Sequence, residues 1–228
     1  MRLSIVLPCY NEEANITSVV EDCDSWLESS DIDGEIIVVD DGSRDTTAEV
    51  LRSIQAHTPR LQIVTHAENQ GYGGAVRSGC DAAKEEYIGF MDSDGQFKAK
   101  DFEKLLPELS NVDFVTGKRR KRADPPMRKL NALLYGLLIR LVLGVKVHDI
   151  NCAMKVFRKD IWATIRPETG TGALFNAEVF LRLKKNGVAW TQVEVSHYRR
   201  TAGEQTGAKP GVILRMFKEL FALRRKVK

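Results

Sequence analysis

The sequence predicts an α/β fold with one mostly parallel central sheet flanked by helices. Three observations carry that prediction. Short apolar runs alternate with segments of helical spacing through the first half of the chain. The intervening helices run to about ten residues or more, the crossover length that parallel neighbours require. Polar turn-formers also stand at the ends of three of the apolar runs, in "PCYNEE", "DDGS" and "DSDGQ". In an open α/β sheet, that edge is where ligands bind.

The elements follow in order. "LSIVLP" is a strand ending at Pro8, and "NEEANITSVVEDCDSWLES" is a helix with acidic residues in its first turn. That helix has apolar spacing at Ile16, Val19, Val20, Cys23 and Leu27. "GEIIVVDD" is the second strand, and Thr46 or Thr47 caps the helix "AEVLRSIQAH". "LQIVTH" is the third strand, and "GYGGAVRSGCDAAKEE" is a glycine-rich loop opening a helix. "YIGFMDSD" is the fourth strand. The second half is less regular. "VDFVTGKR" reads as a strand, 130–145 as an apolar helix, and "CAMKVFRKD" as a strand or turn. "NAEVFLRLKKNG" reads as a helix and "WTQVEVSHY" as a strand. The last eighteen residues read as a basic amphipathic helix, with Ile213, Leu214, Phe217, Leu220 and Phe221 on one face. With no repeat and no long linker, one domain is expected. Residues 1–210 form its body, and the 211–228 helix either belongs to it or faces a membrane.

Composition narrows the function. The 228 residues carry a net charge of +3, too small to argue for nucleic acid. Basic residues cluster at 117–129 and 223–228, while the first half is acid-rich. The four cysteines show neither a CxxC pair nor zinc spacing, as expected of reduced thiols in a cytoplasmic protein. No signal peptide is read before the first strand. The 130–145 segment, interrupted by Arg140, is too short and too charged for a membrane span. The glycines of "NQGYGGAVRSG" do not follow the first strand, and no Walker sequence occurs. Dinucleotide dehydrogenases and P-loop ATPases are therefore disfavoured. Close packing explains those glycines at least as well as phosphate binding does.

"DSDGQ" is the most informative stretch. Two carboxylates two residues apart repel unless a cation stands between them, and hard divalent cations take oxygen ligands together with substrate phosphates. Asp92, Asp94 and the amide of Gln96 suit Mg²⁺ or Mn²⁺ held on a diphosphate. His66 and His197, at strand ends, show no paired metal pattern, and His148 reads as a loop histidine. Trp162 and Trp190 read as packing residues.

Taken together, "IVLPCYNEE", "VVDDGSRDTT", "NQGYGGAVRSG", "DSDGQ", "HDINCAMKVFRKD" and "HYRRTAGEQTG" resemble, in order, the family 2 glycosyltransferases with the A-type glycosyltransferase fold. The likeness is strongest to the polyprenyl-phosphate hexosyltransferases, the branch of dolichol-phosphate mannosyltransferase, and it runs from about residue 3 to 207. The resemblance implies that Pro8, Tyr10 and Glu12 line a nucleotide pocket, with Val39 and Asp41 on its base and ribose side. Asp92, Asp94 and Gln96 would bind the metal. Arg119, Arg128 and Arg200 match basic positions that hold phosphate, a task suited to the guanidinium fork. Two departures stand out. Gly203 is followed by Glu204, Gln205 and Thr206 where the family carries Ser-Lys. The family's Asp-x-x-Ser-Gly reads Asp149, Cys152, Ala153 here.

The resemblance implies inverting, metal-dependent hexosyl transfer from a nucleotide-diphosphate sugar to a polyprenyl phosphate. That acceptor is already anionic and needs little base catalysis. The basic 117–129 segment and the two amphipathic helices suggest peripheral contact with the cytoplasmic membrane face, and a homo-oligomer is left open. One alternative is transfer to a saccharide or glycolipid hydroxyl, with Glu178 as base. Another is a membrane-surface binding module without catalysis, against which the intact "DSD" speaks.

Overall fold

The computed structural model describes residues 1–119, 126–170, 172–200, 220 and 223, with only the backbone at 126–134 and 173. Strands β1 (Arg2–Cys9), β2 (Asp33–Asp40), β3 (Leu61–Thr65) and β4 (Tyr87–Phe90) alternate with helices α1 (Ile16–Ser29), α2 (Thr47–Gln55) and α3 (Tyr72–Ala82). The second half contributes α4 (Phe102–Leu105), β5 (Phe114–Arg119), α5 (Pro126–Leu143), β6 (Lys155–Arg158), α6 (Trp162–Ile165), α7 (Ala173–Lys185) and β7 (Trp190–Val195). The strands form one sheet in the order β3-β2-β1-β4-β6-β5-β7. All pairs are parallel except those of β6, which runs antiparallel to both of its neighbours.

Both faces of the sheet are covered, so its strands are apolar throughout, and alternate residues serve two separate cores. Leu3, Ile5, Leu7, Ile36 and Val38 pack with Val19, Val20 and Cys23 of α1 on one face. Val6, Ile37 and Val39 pack on the other face with Val76 of α3, Ile139 of α5 and Phe175 and Phe180 of α7. Leu220 and Leu223, on the predicted C-terminal helix, are buried in this second core. The rest of the 211–228 prediction lies outside the described residues.

The chain reverses its direction of growth across the sheet at β1 and β4, and there the ladder splits. Pairing of β1 with β2 continues to Cys9, whereas pairing with β4 stops at Val6–Phe90. The Val6 carbonyl faces β4 and accepts from the Met91 amide at 3.2 Å. Pro8 has the same parity as Val6, so its hydrogen-free nitrogen also faces the β4 side. A proline ends a ladder on one edge without leaving an unpaired amide. The result is a crevice beyond the carboxyl ends of β1 and β4.

Several predicted boundaries move. α1 begins at Ile16, and Glu12 and Glu13 lie in the preceding loop instead of in the first helical turn, because loop partners hold them. β4 ends at Phe90, so Asp92 and Asp94 stand beyond the strand on a loop. Thr46 is the backbone cap of α2, but its hydroxyl is given to Glu13 and not to the helix. The predicted glycine-rich loop is already helix from Tyr72. Its glycines serve close packing: a Cβ at Gly79 would stand 2.3 Å from Val6 Cγ1, and one at Gly73 would stand 2.2 Å from the Gly170 carbonyl. All four cysteines are free and buried. Among the described residues no helix is long and apolar enough to cross a membrane.

Candidate functional site

Three strand ends meet around the end of β1. The Asp41 amide donates to the Cys9 carbonyl at 2.8 Å on one side. On the other side, Ser93 Oγ donates to the Pro8 carbonyl at 2.6 Å. The loop after β1 is also cross-tied to the loop after β2. Asn11, at φ 54°, accepts from the Arg44 amide at 2.8 Å, and its own amide donates to Ser43 Oγ at 3.0 Å. The Glu12 amide donates to Thr47 Oγ1 at 2.9 Å, and the Thr46 amide donates to Glu13 at 2.9 Å. Asparagine tolerates the left-handed conformation that this turn requires.

At the crevice, Glu12, Asp92 and Asp94 form an acidic group. Asp94 Oδ1 accepts from the Gln96 amide at 3.1 Å, which fixes the turn. Burial, then the neighbouring Asp94, pushes the Asp92 carboxyl up to about 7, opposed by Arg119 and Lys155. Burial raises Glu12 as well, against the pull of Asn15 and Arg200. Arg200 pairs with two members of this group, with Nη2 2.6 Å from Glu12 Oε1 and Nη1 3.5 Å from Asp94 Oδ2. It is delivered by residues 196–200, which pair with the acidic turn. The Tyr198 amide donates to the Gln96 carbonyl at 3.0 Å, and Gln96 Nε2 donates to the Tyr198 carbonyl at 3.0 Å.

Oxygen ligands on a turn at the crevice suit a hard divalent cation. With two carboxylates and an amide oxygen, the set is of the kind completed by substrate phosphate and water. Among the described residues, no group of three or more His, Cys, Asp or Glu side chains could hold a metal ion. Asp92 and Asp94 thus offer two carboxylates on one turn, with the Gln96 amide beside them, a donor set of hard-oxygen chemistry.

The remaining predicted residues divide. Pro8, Tyr10 and Asp41 stand at the crevice edge, with Pro8 and Asp41 buried and Tyr10 half-buried. Val39 does not present a side chain there. It is fully buried in the core against α3, so only its backbone can reach a ligand. Arg119 is held bidentately by Asp149, with Nε to Oδ2 and Nη2 to Oδ1 both at 2.7 Å. Its fork thus already grips a carboxylate. Arg128 lies on α5, and its side chain is outside the described atoms.

Glu178 is corrected as a candidate base. It is fully buried and accepts from the amides of Glu168, Thr169 and Gly170 at 2.8–3.1 Å, from Thr169 Oγ1, and from Arg182. Burial alone would raise its carboxyl, but those donors outweigh it and hold Glu178 below the usual carboxylate range. A carboxylate saturated with donors and closed to solvent anchors a loop and takes no proton from a substrate.

Two features escape the sequence reading. Lys155 is fully buried on β6. It donates to the Cys152 carbonyl and lies 5.3 Å from the Phe90 ring centroid, and burial lowers it to about 8. It stands within electrostatic range of Asp92 and Asp149. His66, at the end of β3, joins Asp41 to Ser78 of α3. An apolar-run lysine and a lone histidine carry no motif, so only the fold reveals their partners.

A carboxylate pair beyond β4, facing a crevice beside β1 in this strand order, defines the class of A-type glycosyltransferase folds. Over 99% of its length the chain resembles glucosyl-3-phosphoglycerate synthase from Mycobacterium tuberculosis, crystallised in complex with Mn²⁺, UDP and glucosyl-3-phosphoglycerate. The TM-score is 0.66 at 22% identity, with 76% of that chain covered, a likeness of fold. The model of glycosyl transferase family 2 matches residues 4–166, and the chain belongs to that family. It is 34% identical over 165 residues to dodecaprenyl-phosphate galacturonate synthase of Rhizobium johnstonii, covering 71% of this chain and 49% of that one. It is 30% identical over 174 residues to a dolichyl-phosphate beta-glucosyltransferase of Trichomonas vaginalis, covering 69% and 52%. The chain thus spans about half the length of these relatives.

Proposed function

We propose that this chain transfers a hexose, with inversion, from a nucleotide-diphosphate sugar to a polyprenyl phosphate. The observation that carries the reading is the cluster of Glu12, Asp92, Asp94 and Arg200 at the crevice between β1 and β4. Its members suit phosphate handling: carboxylates that can share a cation with it, and an arginine fork paired with two of those carboxylates.

In this mechanism Pro8, Tyr10, Glu12 and Asp41, with the Val39 backbone, bound the nucleotide pocket. A divalent cation held by Asp92, Asp94 and Gln96 would act as a Lewis acid on the leaving diphosphate. Arg200 turns from Glu12 and Asp94 to phosphate oxygens, and Arg119 and Arg128 lie on the acceptor side. The Asp149 pair orients Arg119 and restrains it until a doubly charged phosphate competes. An acceptor phosphate is ionised at neutral pH, so no side chain need remove a proton. Catalysis is then positioning and charge stabilisation. The locked state of Glu178 favours this reading over a hydroxyl acceptor, as do the polyprenyl-phosphate activities that name the two relatives.

A lipid acceptor calls for contact with a membrane surface. On α5, Tyr135, Ile139, Val142 and Leu143 are buried, while Leu137 and Leu141 are 53% and 72% exposed beside exposed Arg140. An apolar pair flanked by a cation suits the bilayer interface, and we place the chain peripherally on the cytoplasmic face.

The test is incubation with UDP-glucose or GDP-mannose, Mn²⁺ and vesicles containing a polyprenyl phosphate. Sugar recovered on the lipid phosphate supports the reading. Transfer only to soluble saccharide hydroxyls overturns it.

A further inference from the structure

Asp41 is among the most buried carboxylates of the chain, and one of its oxygens is doubly bound. Oδ1 lies 2.6 Å from His66 Nδ1 and accepts from the Gln70 amide at 2.9 Å. The other ring nitrogen, Nε2, lies 2.8 Å from Ser78 Oγ. The tautomer follows from chemistry. A carboxylate only accepts, so Nδ1 carries the proton shared with Asp41, while Nε2 is bonded to the Ser78 hydroxyl. His66 thus bridges Ser78 and Asp41 through its two ring nitrogens.

Each member is set by the backbone. The His66 amide donates to the Asp40 carbonyl at 2.9 Å, which fixes the histidine one residue past β3. Ser78 reaches His66 because its neighbour Gly79 lets α3 settle against Val6 and Val39, where any Cβ would collide. Gly42, at φ 69°, closes the turn after Asp41 against the Glu68–Asn69 backbone. Asp41 is thus held from behind by two elements and faces the edge where β1 and β2 end.

This resembles a hydrolase triad in composition but not in placement. Ser78 sits mid-helix and not on a strand-to-helix elbow, so a nucleophilic role finds no support. What the geometry does is orient a carboxylate. Both donors fall on Oδ1, which leaves Oδ2 as the acceptor for a ligand.

We propose that His66, anchored by Ser78, is a positioning residue for the donor nucleotide. It fixes Asp41 so that Oδ2 accepts a hydrogen bond from the nucleoside. The inference rests on the proposed function, in which Asp41 borders the nucleotide pocket. A pre-oriented acceptor binds more tightly because its rotamer freedom is already lost before the ligand arrives.

Calorimetric titration of UDP and of GDP in the presence of Mn²⁺, with donor KM and kcat measured alongside, tests this. His66→Leu removes the donor to Asp41. It is expected to weaken nucleotide binding about tenfold and raise donor KM to match, with kcat held within about threefold. His66→Asn places an amide N–H near the position of Nδ1 and is expected to keep affinity within about threefold of wild type. Ser78→Ala removes only the outer anchor, for a loss of about threefold in the same affinity. Folded His66→Leu with unchanged affinity for both nucleotides overturns the inference, as does equal loss in the Leu and Asn variants. If His66→Leu does not fold, unchanged affinity in Ser78→Ala overturns it. Wild-type protein that binds neither nucleotide overturns the proposed function itself, and this inference with it.

Discussion

The two halves of the crevice are built differently. On the β1–β2 side, loops are cross-tied by uncharged and carboxylate hydrogen bonds that need no ligand: Asn11 to Arg44, Glu12 to Thr47, Asp41 to His66. On the side supplied by the second half of the chain, the phosphate-seeking groups are paired with carboxylates. Arg119 grips Asp149, and Arg200 grips Glu12 and Asp94. On the proposed function, one side is preformed for the donor, and the other must exchange partners. Buried ion pairs of this kind add little net stability, because desolvation offsets much of their attraction. They are therefore suited to being traded for a phosphate.

The sharpest way to break that contrast is at the acidic turn. Asp94→Ala removes one cation ligand and one partner of Arg200. Transfer to lipid phosphate is expected to fall about a thousandfold, the scale of losing a key electrostatic group, as read by radiolabel incorporation. Asp92 should show itself through pH. In the metal-free protein its carboxyl is raised to about 7, chiefly by burial and then by Asp94, so a proton competes with the cation. Mn²⁺ affinity should hold above that value and weaken by about tenfold per pH unit below it, as followed by calorimetry.

A smaller effect is expected at α5. Leu141→Glu puts a charge on the most exposed apolar residue among the described side chains of that helix. Co-sedimentation with anionic vesicles should weaken by about tenfold, the scale of one leucine's burial, while transfer to a short-chain soluble acceptor is unchanged. The smallest effect on chemistry is expected at Glu178. Glu178→Gln should leave kcat within about threefold but lower stability by about 2 kcal/mol, read as a falling melting temperature. The sign with pH follows from its lowered carboxyl. Glu178 contributes stability above the ordinary carboxylate range, and that contribution is lost as pH falls through its folded value.

The meeting of the β1, β2 and β4 ends was legible in the sequence for a physical reason. Strand alternation, the strand-end polar runs and the "DSD" spacing are local signals, and the parallel sheet turns each into a place on the crevice. Val39 shows where this reasoning fails. It belongs to the same segment as Asp41, but strand parity turns its side chain into the core under α3. The second half was harder to read. Whether Arg119 is available for phosphate depends on Asp149, thirty positions away. The saturation of Glu178 depends on three amides of a loop packed against its helix. His66 and Lys155 have no sequence signal, because their partners Ser78, Asp41 and the Cys152 carbonyl are assembled only by tertiary packing. Non-local pairings of this kind leave no spacing to read.

On the proposed function, Asp92 and Asp94 bind a donor diphosphate through a shared cation. Calorimetric titration of UDP with and without Mn²⁺, on wild type and Asp94→Ala side by side, tests it most directly. Mn²⁺ is expected to tighten binding by about tenfold or more in wild type and to have no effect in Asp94→Ala. Equal Mn²⁺ enhancement in the two proteins would contradict it.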